Sequence, residues 1–84
     1  MFYVYLLLLS NKKFYVGYSI NLKQRIEEHN GGLVNTTKNF RPLKLVFYAA
    51  FNSQNKALAF ERYLKSSSGF AFRNKRLINL STEQ

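Results

Sequence analysis

The chain of 84 residues contains no cysteine and no aspartate. The first absence excludes a disulfide framework and a zinc site with thiolate ligands. The second leaves four acidic side chains, all glutamate: Glu27, Glu28, Glu61 and Glu83. Any metal site built on carboxylates is therefore sparse. Long apolar runs are lacking as well. The run Phe2–Leu9 is too short to cross a bilayer. No basic residue precedes it and no small-residue cleavage pattern follows it, so it does not read as a signal peptide. It reads as a buried strand, and the protein as cytoplasmic. The scarcity of acids is the strongest global signal. Thirteen Lys and Arg against four Glu give a formal net charge of +9. Such a surplus favours a polyanionic partner, most simply nucleic acid. The basic residues form no long amphipathic helix, which argues against a membrane-surface binder.

What is present is core material. The chain is 46% hydrophobic and 17% aromatic, which suits a globular domain and not a disordered one. Four of the six tyrosines, Tyr3, Tyr5, Tyr15 and Tyr18, stand in two adjacent stretches, FYVYL and FYVGYS. Aromatic and β-branched residues fit a pleated surface, so these stretches read as a hairpin joined at NKK. Gly17 inside the second strand marks a bulge or the close approach of another group.

NLKQRIEEHN reads as a helix, capped by Asn21 with Gln24 as returning partner and ended by NGG. A polar loop runs on to Pro42 and is long enough to suggest function. Leu43–Phe51 reads as a third strand. Ser53 caps a second helix, QNKALAFERYLK. After SSSG, FAFRNKRLINL reads as a third helix, and STEQ as a disordered tail. The expected organisation is one α+β domain over residues 1–80, with a tail at 81–84. Three strands are flanked by about three helices.

Helical periodicity puts polar groups on apolar faces. Leu22, Ile26 and His29 share a sector, with Arg25 close beside them, while Glu27 and Glu28 point away. Ala57, Phe60 and Leu64 define the inward face of the second helix, with Glu61 at its edge. Asn74 falls among Ala71, Leu77 and Ile78, while Arg73, Lys75 and Arg76 point outward. Burying charge costs several kcal/mol unless it is paired or functional. Taken singly, each of these has a plain structural reading: an arginine that snorkels, a satisfied core histidine, an ion pair between Glu61 and Arg25.

Taken together, they resemble a known pattern. Val4–Leu6, Tyr15–Gly17, Arg25-x-x-x-His29 and a later helical Glu resemble the GIY-YIG nuclease family. Tyr3, Val4 and Tyr5 stand where Gly, Ile and Tyr would be, and Val16 replaces Ile in the second element. HNGG, TTK, RPLKLV and ALAFERYLKSSSG resemble its small bacterial single-domain members. The resemblance implies a three-stranded antiparallel sheet flanked by helices and hydrolysis of phosphodiester bonds with one divalent metal. It also implies site roles: Tyr5 and Tyr15 as the motif tyrosines, Arg25 as the active-site arginine, His29 one turn on, Glu61 as metal ligand, and Asn74 as active-site support.

The chemistry is consistent with those residue types. Mg²⁺, or Mn²⁺ in its place, keeps several waters and can sit on one carboxylate with substrate oxygens completing its shell. Arginine suits phosphate contact. A phenol of pKa near 10 is only about 0.1% ionised at neutral pH. It acts as a base only where neighbours lower that value, or it orients the water. Both tyrosines stand as candidates, and Gly17 would let substrate or Tyr5 approach the backbone. Lys38, Arg41 and Lys44, with Thr36 and Thr37, and then Arg73, Lys75 and Arg76, are expected to track the DNA backbone. The reading is a metal-dependent DNA endonuclease of low sequence specificity, in DNA repair or recombination, with RNA left open as a substrate. No targeting domain is visible, so targeting would come from a partner protein or a dimer. The alternatives are an inactive nucleic-acid-binding module of the same fold and a basic domain acting through a partner protein.

Overall fold

A computed structural model describes residues 1–66. The third helix expected near the C-terminus, with Asn74, Arg73, Lys75 and Arg76, and the tail at 81–84, lie outside the described residues. Those that are described form β1 (Phe2–Leu8), β2 (Phe14–Ser19), α1 (Leu22–Asn30), a 3₁₀ turn (Lys38–Phe40), β3 (Lys44–Phe51) and α2 (Gln54–Lys65).

The strands make one antiparallel sheet in the order β2-β1-β3. Its centre is β1, the most apolar strand, buried from Val4 to Leu7. Alternation along β1 sends successive side chains to opposite faces and so builds two cores. Val4 and Leu6 meet Val16, Ala57 and Leu64, with Phe60 packed against them, on the α2 side. Tyr5, Leu7 and Leu9 meet Tyr15, Leu22 and Ile26 on the α1 side. The sheet is thus a thin divider with one helix on each face.

The β1–β2 register is continuous from Tyr3↔Ser19 to Leu8↔Phe14 and sets Tyr5 opposite Gly17. Gly17 therefore marks a close approach and not a bulge. The register shift falls instead between β1 and β3, at Leu6/Leu7. The turn between β1 and β2 is closed by Leu9 N–H to the Lys13 carbonyl at 2.9 Å, with Lys12 at φ 71°.

Local chemistry starts both helices. Asn21 Oδ1 accepts from the Gln24 backbone N–H at 3.1 Å. Asn21 Nδ2 donates to Gln24 Oε1 at 3.3 Å, while the Asn21 backbone N–H, the group a returning Gln24 would take, donates to Ser19 Oγ instead. Ser53 Oγ caps α2 through Lys56 N–H. The segment between α1 and β3, expected to be an irregular polar loop, has a built interior. Val34 and Thr37 are buried in it, and it closes onto the hairpin turn through Ser10 N–H to the Phe40 carbonyl at 3.0 Å.

Candidate active site

Tyr5 reaches across β2. A Cβ at Gly17 would lie 2.3 Å from Tyr5 Cζ and 2.4 Å from its hydroxyl, so only glycine leaves room for the ring. The hydroxyl is hydrogen-bonded to His29 Nε2 at 2.8 Å. The other ring nitrogen, Nδ1, is bonded to Thr37 Oγ1 at 2.8 Å. His29 and Thr37 are fully buried. The Tyr15 ring packs edge-on against His29 at 5.2 Å and tilts against Tyr5 at 6.3 Å. Both tyrosines and the histidine therefore form one aromatic cluster between β1, β2 and α1.

On the outer side of this cluster lies a cleft of about 630 Å³, running along the edge formed by β2. Tyr5, Tyr15 and Gly17 line it together with Arg25 from α1, Thr36 from the loop, and Glu61 and Lys65 from α2. Helices that pack on opposite faces of the sheet meet only at its edge, so the cleft combines them. Glu61 Oε2 pairs with Lys65 Nζ at 3.2 Å. Arg25 Nη1 donates to Glu28 Oε1 at 2.9 Å and leaves the rest of its fork free of that contact.

Burial sets the proton affinities. It pushes the Tyr5 phenol up to about 12; the Arg25 guanidinium pulls the other way, and Tyr15 and Glu61 add to the rise. Burial also holds His29 below its ordinary value, helped by the positive charge of Arg25 and opposed by Glu28. At neutral pH the cluster is a neutral phenol on a neutral imidazole beside a permanent cation.

Tyr5, Tyr15, Gly17, Arg25 and Glu61, singled out from the sequence, border one cleft. His29 stands one step behind, reached through Tyr5. Two expectations need correction. Glu28 does not simply point away; at i+3 it pairs with Arg25. Thr37 does not face DNA, because its side chain is consumed inside by His29. Arg41 stays at the surface, but its Nε donates to the Lys38 carbonyl at 3.0 Å and its Nη1 to the Asn30 carbonyl at 3.4 Å. Its guanidinium lies against Gly32, where a Cβ would be 2.8 Å from Cζ, so Arg41 ties the loop. Lys38 and Lys44 are exposed. Lys65 was not anticipated, although its i+4 spacing from Glu61 carries the signal. Tyr18 also borders the cleft, with a buried hydroxyl that has no hydrogen-bond partner among the described residues.

No group of three His, Cys, Asp or Glu gathers among the described residues. Glu61 is the carboxylate of the cleft. One carboxylate fits Mg²⁺, which prefers few protein ligands and retains water, and does not fit Ca²⁺ or zinc in a closed protein cage.

Residues 1–76 match the family model described as the GIY-YIG catalytic domain. The chain belongs to the GIY-YIG family. The chain is similar to a UPF0213 protein of Pediococcus pentosaceus, 37% identical over 84 residues, covering 95% of this chain and 88% of the relative. A second, the UPF0213 protein in the ldhD 5' region of Pediococcus acidilactici, is 36% identical over 70 residues, covering 80% and 71%. The solution NMR structure of a UPF0213 protein from Bacillus halodurans matches with a TM-score of 0.51 at 33% identity, over 77% of this chain and 71% of that one. The α+β architecture and the family drawn from the motif order therefore hold. GIY-YIG is a nuclease family whose members typically use a divalent metal. No helix among the described residues is long and apolar enough to cross a membrane.

Proposed function

We propose that the protein is an endonuclease that hydrolyses DNA phosphodiester bonds by attack of water, with a divalent metal. The observation that carries the reading is the cleft itself. One strand edge assembles two cations, a carboxylate and three phenols, one of them backed by a buried imidazole, from four separate elements.

Each residue then has a task. Arg25 turns the free part of its fork toward the phosphate and offsets charge on the phosphoryl oxygens. Glu61 holds the metal, with Mg²⁺ preferred and Mn²⁺ acceptable; when bound, the ion neutralises phosphoryl charge and makes water a better nucleophile. Tyr15 orients the attacking water from the cleft wall. Tyr5 is the proton conduit. Its phenolate is too rare to act as a standing base when its affinity for the proton is raised. It can instead accept the proton of water while passing its own to His29 Nε2, 2.8 Å away. His29, held neutral, is the proton sink, and its Nε2 is the atom that Tyr5 delivers to. Exposed Lys38 and Lys44 contact phosphates without reading bases, which gives low sequence specificity.

The test is cleavage of supercoiled plasmid, branched DNA and RNA with Mg²⁺, Mn²⁺ or EDTA, with Glu61→Gln protein purified in parallel. Metal-dependent cutting that is lost in Glu61→Gln, with DNA binding retained, is the expected result. Equal cutting by Glu61→Gln overturns the metal assignment. Binding without cutting on every substrate reduces the protein to an inactive module of the same fold.

A further inference from the structure

The geometry points to Thr37 as a positioning residue: its hydroxyl accepts from His29 Nδ1–H and so fixes the imidazole in the tautomer that leaves Nε2 free to take the Tyr5 proton. The inference rests on the nuclease reading above for its consequence, but not for its test.

A neutral imidazole has one donor and one acceptor nitrogen, and the bond made by one decides the role of the other. Here each nitrogen faces a hydroxyl at the same distance, 2.8 Å. Either hydroxyl can donate or accept, so distance alone does not choose. Acidity does. A phenol is a far stronger acid than an aliphatic alcohol, so Tyr5 is the better donor and Thr37 the better acceptor. The surroundings agree. The Arg25 guanidinium acts to lower the proton affinity of Tyr5, which favours the phenol as the donor. Tyr5 therefore sends its hydrogen to His29 Nε2. The opposite tautomer would require the weaker acid, Thr37, to donate and the stronger acid, Tyr5, to accept.

Thr37 is placed for this task by the loop. Its side chain is fully buried. Its backbone is held from both sides, by Thr37 N–H to the Val34 carbonyl at 3.1 Å and by Phe40 N–H to its own carbonyl at 2.9 Å. The next residue's carbonyl receives Arg41 Nε. When His29 gains the proton, both ring nitrogens become donors. Tyr5 and Thr37 then each present an oxygen, so the imidazolium is satisfied without any rearrangement. The loop thus completes a Tyr5–His29–Thr37 chain whose direction is set at its far end.

His29 is the sole histidine of the chain, so its ring nitrogens can be read without assignment in a long-range ¹H–¹⁵N spectrum. The proteins are wild type, Thr37→Ser and Thr37→Val, at neutral pH and without metal. Wild type and Thr37→Ser should show a protonated Nδ1 and a bare Nε2. Thr37→Val, isosteric but without the acceptor, should lose that single tautomer. On a DNA substrate that wild type cleaves, Thr37→Val should lower kcat by about 10–100-fold, the scale set by outer partners of functional histidines, with KM little changed, and Thr37→Ser should restore it. A wild-type spectrum with Nε2 protonated overturns the inference, as does Thr37→Val with an unaltered tautomer and kcat. If Thr37→Val does not fold, the wild-type and Thr37→Ser spectra still decide it. If wild type cuts nothing, the nuclease reading fails while the spectrum still reports whether Thr37 sets the tautomer.

Discussion

Gly17 and His29 show how single positions shape this site. At Gly17 the missing Cβ is the space that Tyr5 occupies. The ring cannot swing aside cheaply, because its hydroxyl is bonded to a buried partner. Gly17→Ala should therefore cost about 1–3 kcal/mol, as overpacking does. The cost should nearly vanish in a Tyr5→Ala background. Urea midpoints of the four proteins form a double-mutant cycle. Additive effects would mean that the two residues do not compete for the same space. At His29 the prediction concerns pH. The folded protein holds His29 below its ordinary value of 6.5. As pH falls through that value, the unfolded chain takes up the proton first. The unfolded state is then the one with more bound protons, so stability is full above this range and drains away below it. The urea midpoint should fall between about pH 7 and pH 5, above the range where glutamates titrate. His29→Gln should show a flatter dependence over the same interval. A wild-type midpoint that rises on acidification would contradict a neutral, buried imidazole.

At the scale of elements, the sequence yields periodicity and caps but not what meets across the sheet. β1, β2, α1 and α2 were legible because their apolar spacing, Asn21, Gly31 and Ser53 mark them locally. The inward faces followed from the same spacing: Leu22, Ile26 and His29 on one helix, Ala57, Phe60 and Leu64 on the other. The residues that border the cleft were singled out partly by that route and partly by resemblance. Their assembly was not legible. Nothing in the spacing says that α1 and α2 cover opposite faces and share a cleft only along β2. The interior of the loop was the largest omission. Thr37 lies eight positions from His29 along the chain, in a segment without periodicity, and a polar residue in such a segment reads as solvated. Its bond to His29 brings the loop onto α1, which is tertiary information. The ties of Arg41 to the Lys38 and Asn30 carbonyls were hidden for the same reason, since nothing in the sequence of a basic loop shows which carbonyls meet a guanidinium.

For the whole molecule, the question is where a formal charge of +9 does its work. Within the described residues, two cations of the cleft are already paired, Arg25 with Glu28 and Lys65 with Glu61. The exposed remainder includes a cluster at one end. The loop is tied to the hairpin turn by Ser10 and Phe40, and Lys12 and Lys44 line one groove beside Pro42 there. Lys38 belongs to the 3₁₀ turn of the same loop. A phosphate backbone laid along this end would release one counterion per contact, and each contact adds about −0.9 to the slope of log affinity against log salt. Lys12→Gln and Lys44→Gln should each make the slope shallower by about that amount. They should weaken binding alike for unrelated duplexes, because phosphates carry no sequence. Lys56→Gln is the control, since Lys56 borders neither the cleft nor this groove. Fluorescence anisotropy in EDTA, over a series of salt concentrations, measures all three slopes without cleavage. If Lys56→Gln changes the slope as much as Lys12→Gln and Lys44→Gln do, the charge acts as a diffuse field over the whole surface. If only the two groove lysines do so, DNA follows the hairpin end and approaches the cleft beside Thr36, from the side on which the loop holds His29.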